Sequence, residues 1–383
     1  MRNVLISGAS VAGPALAYWL RRHGMRATVV ERAEAVRPGG LAVDFRGTAM
    51  TVLDRMGILD ELRAHSTESG DVVIVDETGD RVATMPGVIF AGELEVLKSD
   101  LTRILFDLTK DDTEYVFGDS ISALTERPDG VLVDFEHGES RTFDLVVGAD
   151  GLHSTVRALA FGPEAEFVHS LGYMFAAFGL ENHLGLSADG LSHLAGRRSV
   201  NVAPVRHGSE ARANFMFPAA PGALARGDVA AQKRVITDEY AGVGWEAPAL
   251  LAALDRAADL YYDEMSQVRM QSWSTGRVVL LGDAGYCGSP MSGRGTSQAL
   301  IGAFVLAGEL AANGADHAAA FTEYERALRD YVEANHEMGR QAVASFDFPP
   351  SQEMFDAMAA ASTDDDSDDR VPVKDYAANL TVL

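Results

Sequence analysis

The sequence predicts an α/β fold: an α/β body interrupted by an interleaved β-rich insertion, with helices closing its C-terminal part. Three observations predict it. The chain opens with an apolar strand, a glycine turn and a helix that leads into a second apolar strand. Two further buried-type strands, "FDLVVGADG" and "RVVLLGDAG", each run into a glycine turn far downstream. Between them, roughly Phe167 to Met270, the pattern changes to strands of alternating aromatic and aliphatic residues.

The elements follow in order. "NVLIS" is a short strand and "GASVAG" a tight turn; "PALAYWLRRHG" is a helix with Pro14 in its first turn and Gly24 as its stop, and "RATVVE" is a second strand. Apolar spacing of three and four over Thr48 to Ala64 predicts an amphipathic helix interrupted at Gly57. A hairpin is expected around Thr78-Gly79-Asp80, then a helix with Ser99 as candidate N-cap, then a second strand pair around Asp129-Gly130. The insertion carries "YMFAAFGL", "SVNVAPV" and "ARANFMFPA" as strands, followed by helices over "DVAAQKRVITDEYAG" and Ala247 to Ala258. A long helix, Ser297 to Ala312, and another, Ala318 to Ala344, end before Phe348-Pro349-Pro350. The resulting division is 1–70, 96–166 and 268–316 for the body, and 71–95 with 167–267 for the insertion. Residues 317–347 form a C-terminal helix, and 348–383 an acidic, partly disordered tail. There is no internal repeat.

Composition narrows the function. The 383 residues suffice for about two domains, and 47% hydrophobic content is ordinary for an enzyme with a sizeable core. A formal charge of −24 repels phosphate backbones and anionic lipid, so nucleic acid and membrane are not expected as partners. Part of that charge is the local run "DDDSDD", Asp364 to Asp369. The single cysteine, Cys287, allows no intramolecular disulfide and suits a reducing, cytoplasmic setting. The basic, apolar start mimics a signal peptide, but Gly8 and Gly13 break it. No stretch reaches the ~20 uninterrupted apolar residues of a membrane span, because "ALIGAFVLAGELA" meets Glu309.

Gly8, Ser10 and Gly13 occupy the three slots of a dinucleotide fingerprint. Gly8 permits the tight turn and Gly13 the close helix packing, while the helix N-terminus offers free N–H groups to a pyrophosphate. Ser10 departs from glycine but stays small. Glu31, about twenty residues on, ends the second strand where an acid can accept hydrogen bonds from a ribose diol. The ten histidines show no metal-ligand spacing, and no Ser-His-Asp arrangement stands out, so no metal is expected.

With the N-terminal turn, "GADGLHSTVR" (Gly148 to Arg157) and "GDAGYCGSPMSGRG" (Gly282 to Gly295) complete a set of three. In this order and at these separations, the set resembles the class A FAD-dependent aromatic monooxygenases of the p-hydroxybenzoate hydroxylase fold, and most closely their tetracycline-modifying branch. The likeness runs from the start to about residue 345. It implies a Rossmann-type, glutathione-reductase-like FAD-binding domain and a β-sheet substrate domain. It also implies non-covalent FAD, NADPH or NADH as a transient co-substrate, and O₂. Hydroxylation of an aromatic or polycyclic, antibiotic-like substrate would pass through a flavin C4a-hydroperoxide.

By position, the resemblance assigns Gly8, Ser10, Ala12 and Gly13 to the pyrophosphate turn, and Glu31 with Arg32 to the adenosine half. Asp150 belongs to a segment linked to FAD and nicotinamide use, with Ser154 and Arg157 as its supports. Asp283 matches the acid on the ribityl chain; Pro290, Gly293 and Gly295 match backbone against the isoalloxazine ring. Asp44, with Arg46 nearby, stands near the flavin, and Lys98 takes the place of the family's usual arginine, keeping its charge but losing its planar fork. Gly285 and Tyr286 stand where many relatives have Ala-His. Among the other aromatics, Phe215 and Phe217 are candidates for the substrate pocket beside Pro290, or for core. His153 reads as a surface or packing histidine and Cys287 as a packing residue. A monomer or weak homodimer is expected. A same-fold reductase, oxidase or halogenase remains open, although the halogenase W-x-W-x-I-P run is absent and Trp19, Trp245 and Trp273 are isolated. A flavin-binding protein without turnover also remains open.

Overall fold

The computed structural model describes residues 2–36, 41–89, 92–220, 222, 227–347, 351–364 and 371–376. Val4, Leu5 and Ile6 are fully buried in the main core, where helices cover the sheet, and their strand, Asn3–Ser7, has neighbours on both sides. It pairs in parallel with Arg26–Glu31 on one side and Leu145–Gly148 on the other, and Leu145–Gly148 pairs in parallel with Val278–Leu280. All three glycine-ended strands of the sequence are therefore adjacent in one six-stranded sheet. Parallel pairing brings their carboxyl ends to a single edge, where α/β sheets place their ligands.

Two helices pack on this sheet and on each other, Ala12–Arg22 and Gly295–Ala312. The close approach of Ala12–Arg22 to the first strand and its turn depends on Gly13, where a Cβ would stand 1.9 Å from the Gly8 carbonyl oxygen. Gly295–Ala312 is long and apolar enough to cross a membrane, yet 78% of it is buried inside the protein, as in the core helix of an α/β body. Its one acid, Glu309, is 1% exposed and must be compensated. The C-terminal residues supply the partners: the Tyr376 hydroxyl donates to it at 2.7 Å and Lys374 Nζ lies 2.8 Å away. Gly308 makes room for the Tyr376 ring, since a Cβ there would lie 2.3 Å from it.

The insertion forms a seven-stranded sheet that also recruits Val72–Val75 and Arg81–Met85. Helices Val229–Glu239 and Ala247–Arg256 cover one face, packing on Met174, Phe178, Val200 and Val202. Phe215 and Phe217 belong to that covered face, at 0% and 1% exposure, with the Tyr240 ring edge-on at 4.8 and 6.0 Å. They are core and not pocket, because strand alternation sends them to the helices and sends Asn214 and Met216 the other way.

Other differences are local. The helix expected from Ser99 starts at Lys98 after an extended Leu97, which puts Ser99 inside the first turn. Gly57 adopts a left-handed conformation between Thr48–Met56 and Leu59–Arg63, as its position predicted. Part of the expected tail is ordered: Gln352–Asp364 is a helix whose Met354, Phe355 and Met358 pack near Ile74 and Leu194. Apart from Asp364, the acidic run lies outside the described residues, as does Phe348-Pro349-Pro350.

Tyr376→Phe removes a hydroxyl donated to a buried carboxylate. It should lower unfolding free energy by about 2 kcal/mol in denaturant titrations, a loss near zero showing that the C-terminal segment does not engage Glu309.

Candidate active site

The N-terminal turn is built by exclusion. Gly8 has φ +108°, and a Cβ on it would meet the Ala149 carbonyl oxygen at 2.4 Å, so the first and second motifs touch here. Glu31 closes the same turn: its carboxylate accepts from the Ala9 N–H and the Ala33 N–H, each at 2.9 Å. Ala12 and Gly13 are buried in the first helical turn, while Ser10 and Arg32 are exposed. No side chain caps this helix, so its first N–H groups and the positive end of its dipole face the turn.

In the second motif, Asp150 accepts from Ser154 Oγ at 2.5 Å and from the Val156 N–H at 3.1 Å. Burial pushes its carboxyl up, and these hydrogen bonds oppose the shift. Ser154 caps the helix Thr155–Ala160 by accepting from the Arg157 N–H. The Arg157 guanidinium is 0% exposed and donates to Leu152 O at 2.6 Å and Ala284 O at 2.8 Å. That second bond reaches the third motif.

In the third motif, a Cβ on Gly282 would be 3.5 Å from both Ala12 and Ala299, which puts this turn beside the first. Asp283 opens a short helix, and a Cβ on Gly295 would be 3.5 Å from its Oδ1. Ser289 has φ 77° and ψ 151°, a region that L residues rarely occupy, and Gly293 follows at φ 67°. This strained turn presents backbone with little side chain over it. Pro290 sits exposed at its rim.

Asp44 comes to the same loop from another element, the strand Ala42–Phe45 paired with Leu94–Leu97. A Cβ on Gly293 would be 3.9 Å from Asp44 Oδ1. Arg46 Nε lies 3.2 Å from Asp44 Oδ2. Burial pushes the Asp44 carboxyl up to about 6 even though Arg46 and Arg294 pull it down. Lys98 starts its helix with its N–H on Leu41 O at 2.9 Å; among the described residues, its hydrogen bonds are made by its backbone. The structure thus joins Gly8, Gly13, Glu31, Asp150, Asp283, Gly293, Gly295, Asp44 and Arg46 in one continuous constellation.

Sequence reasoning missed the groups of the seven-stranded sheet that come near this constellation. Tyr261 keeps 36% of its surface exposed, while burial of its phenol and the nearby charges of Asp263 and Asp283 push that phenol up, so its hydroxyl end comes near the third motif. His153 neither packs in core nor faces solvent freely: one ring nitrogen lies 3.1 Å from Glu164 and the other 3.1 Å from Asp263. Only an ordinary strand, "YYDEMSQV", carried this information in sequence. Cys287 is buried, and burial holds its thiol well above the usual range, leaving it unreactive.

Known proteins agree with this geometry. The FAD-binding domain family model matches residues 1–345. An uncharacterised protein of Mycobacterium tuberculosis is 44% identical over 341 residues, covering 88% of this chain and 92% of the relative. A flavin-dependent monooxygenase from an unknown prokaryotic organism is 38% identical over 349 residues, covering 90% of each. The crystal structure of the tetracycline destructase Tet(51) superposes with a TM-score of 0.89 at 33% identity, covering 98% of this chain and 100% of that one. With three converging motifs and these likenesses, the chain belongs to the FAD-binding domain family, among the flavin-dependent monooxygenases near the tetracycline-modifying branch.

Proposed function

We propose that this protein is an FAD-dependent monooxygenase that uses NAD(P)H and O₂ to hydroxylate an aromatic or polycyclic substrate. The observation that carries the reading is the convergence of three turns on one sheet edge, each held so that backbone is left bare. The residues present fit the cofactor. The uncapped first turn at Ala12 and Gly13 suits a pyrophosphate, and Glu31 with Arg32 lies where an adenosine ribose would end. Asp283 would accept from ribityl hydroxyls, and the Gly293–Gly295 backbone, with Pro290 at the rim, would lie against the ring. Bound FAD would supply electron transfer from the nicotinamide and activation of O₂.

The chain's own contribution is shape, dryness and charge. Small residues keep side chains off the ring, and the clamped second motif keeps Asp283 from drifting. Asp44 holds a proton on its carboxyl into the mildly acidic range, next to the bare loop. The likeness to Tet(51), named a tetracycline destructase, supports a substrate of polycyclic, antibiotic-like type.

The protein purified with FAD should be yellow, oxidise NADPH in air, and convert an accepted polycyclic phenol to a product heavier by one oxygen; a colourless protein with no NADPH oxidation would sink the reading. Asp283→Ala should weaken FAD binding about tenfold or more in fluorescence titrations, with far-ultraviolet circular dichroism unchanged. For Asp44 the sign of the pH effect is fixed by a folded carboxyl near about 6 against an ordinary value of 3.8. Between these values the folded protein still holds a proton that the unfolded chain has released, so wild-type stability falls as pH rises through this window. Asp44→Asn lacks that titration, and without FAD it should gain on wild type by up to about 3 kcal/mol from pH 4 to pH 7 in denaturant unfolding.

A further inference from the structure

The face of the seven-stranded sheet away from its two helices turns toward the flavin loops. Tyr261 on this face lies near Asp283 and Cys287, Asp263 binds His153, and the Tyr173 ring meets Phe346 at 5.3 Å. Strand register lines up its side chains in rows. Ser192 pairs with Asn201, Asn201 with Asn214, Asn214 with Ala177, and Ala177 with Tyr261. The adjacent row, on the Tyr173 side, carries Met216 and Phe175. A row of amide and hydroxyl side chains therefore crosses this face beside the apolar pair Met216 and Phe175.

The row has a fixed polarity. The Leu191 carbonyl can only accept, so Asn201 must direct its Nδ2 there, at 3.2 Å. Its Oδ1 is then turned to Asn214, whose Nδ2 donates to it at 2.9 Å. Asn214 is left offering Oδ1, to which no donor is found among the described residues. Arg212, one row further on, is already paired with Asp259 at 3.3 Å and gives an anionic substrate no open counter-charge.

We propose that Asn214 Oδ1 is a substrate-recognition acceptor, taking a hydrogen bond from a hydroxyl or amide N–H at the edge of an uncharged, otherwise apolar polycycle. Asn201 is its positioning residue. The inference rests on the reading of this face as a wall of the substrate chamber of a monooxygenase, and it adds which edge chemistry that chamber selects. A phenol satisfies the acceptor, whereas its methyl ether leaves it unpaired.

The test uses FAD-loaded protein titrated at pH 7 with 2-hydroxyphenanthrene and with 2-methoxyphenanthrene, read by perturbation of the flavin spectrum. Wild type should bind the phenol about tenfold more tightly than the ether. Asn214→Leu should erase that preference, and Asn214→Asp, which still accepts, should retain it. Equal binding of the two ligands to wild type, binding of neither, or a preference that survives in Asn214→Leu overturns the proposal. NADPH oxidation in the same samples reports separately: its absence sinks the monooxygenase reading, while loss of the phenol preference alone sinks only the role of Asn214.

Discussion

A single buried cation fixes the geometry on which the site depends. The Arg157 guanidinium is shut away from water, and arginine cannot escape the cost by losing its proton. It must find acceptors, and besides the Glu164 carboxylate at 3.5 Å its two short bonds go to separate segments, Leu152 in the second motif and Ala284 in the third. Satisfying one side chain therefore locks two loops in register. Asp150 and Asp283 inherit their positions from that bond, although neither touches Arg157 through its own side chain in the described contacts.

Around this clamp the work is divided by element type. The parallel sheet supplies direction, because its strands end together and deliver the turns to one edge. Glycine supplies proximity: Gly8 against Ala149 and Gly13 against Gly8 are contacts that a single added methyl would abolish. The largely antiparallel seven-stranded sheet has one face committed to helices and the other left to face the body. The His153–Asp263 contact ties the second motif to the seven-stranded sheet.

The body was legible in sequence because its signals are local. A βαβ unit, an apolar strand running into a glycine turn, and Gly57 as a stop each announce themselves within a few residues. The three motif turns also meet at one edge of the sheet. What was not legible depends on which way a strand faces. Phe215 and Phe217 carry the composition of a pocket, but only the register with Arg198–Val205 and the placement of two later helices decides that they fill core. Tyr261 was invisible for the same reason: its meaning lies in Asp283, which is distant from its strand in the pairing pattern. Ser99 was misread as a cap because a serine at a helix start is a strong signal, and the preceding strand ends one residue sooner than the pattern suggests. The C-terminal segment looked solvated by composition, yet it supplies the groups that satisfy Glu309.

That last arrangement has a consequence for how the chain is made. Glu309 sits in the most deeply buried helix of the body, but Lys374 and Tyr376 stand close to the end of the sequence. On the ribosome, the helix is therefore synthesised well before its counter-charge. Until Lys374 and Tyr376 emerge, the Glu309 carboxylate has the Asn313 amide but neither its cation nor its phenol donor, so docking of the 371–376 segment completes the packing of this helix late.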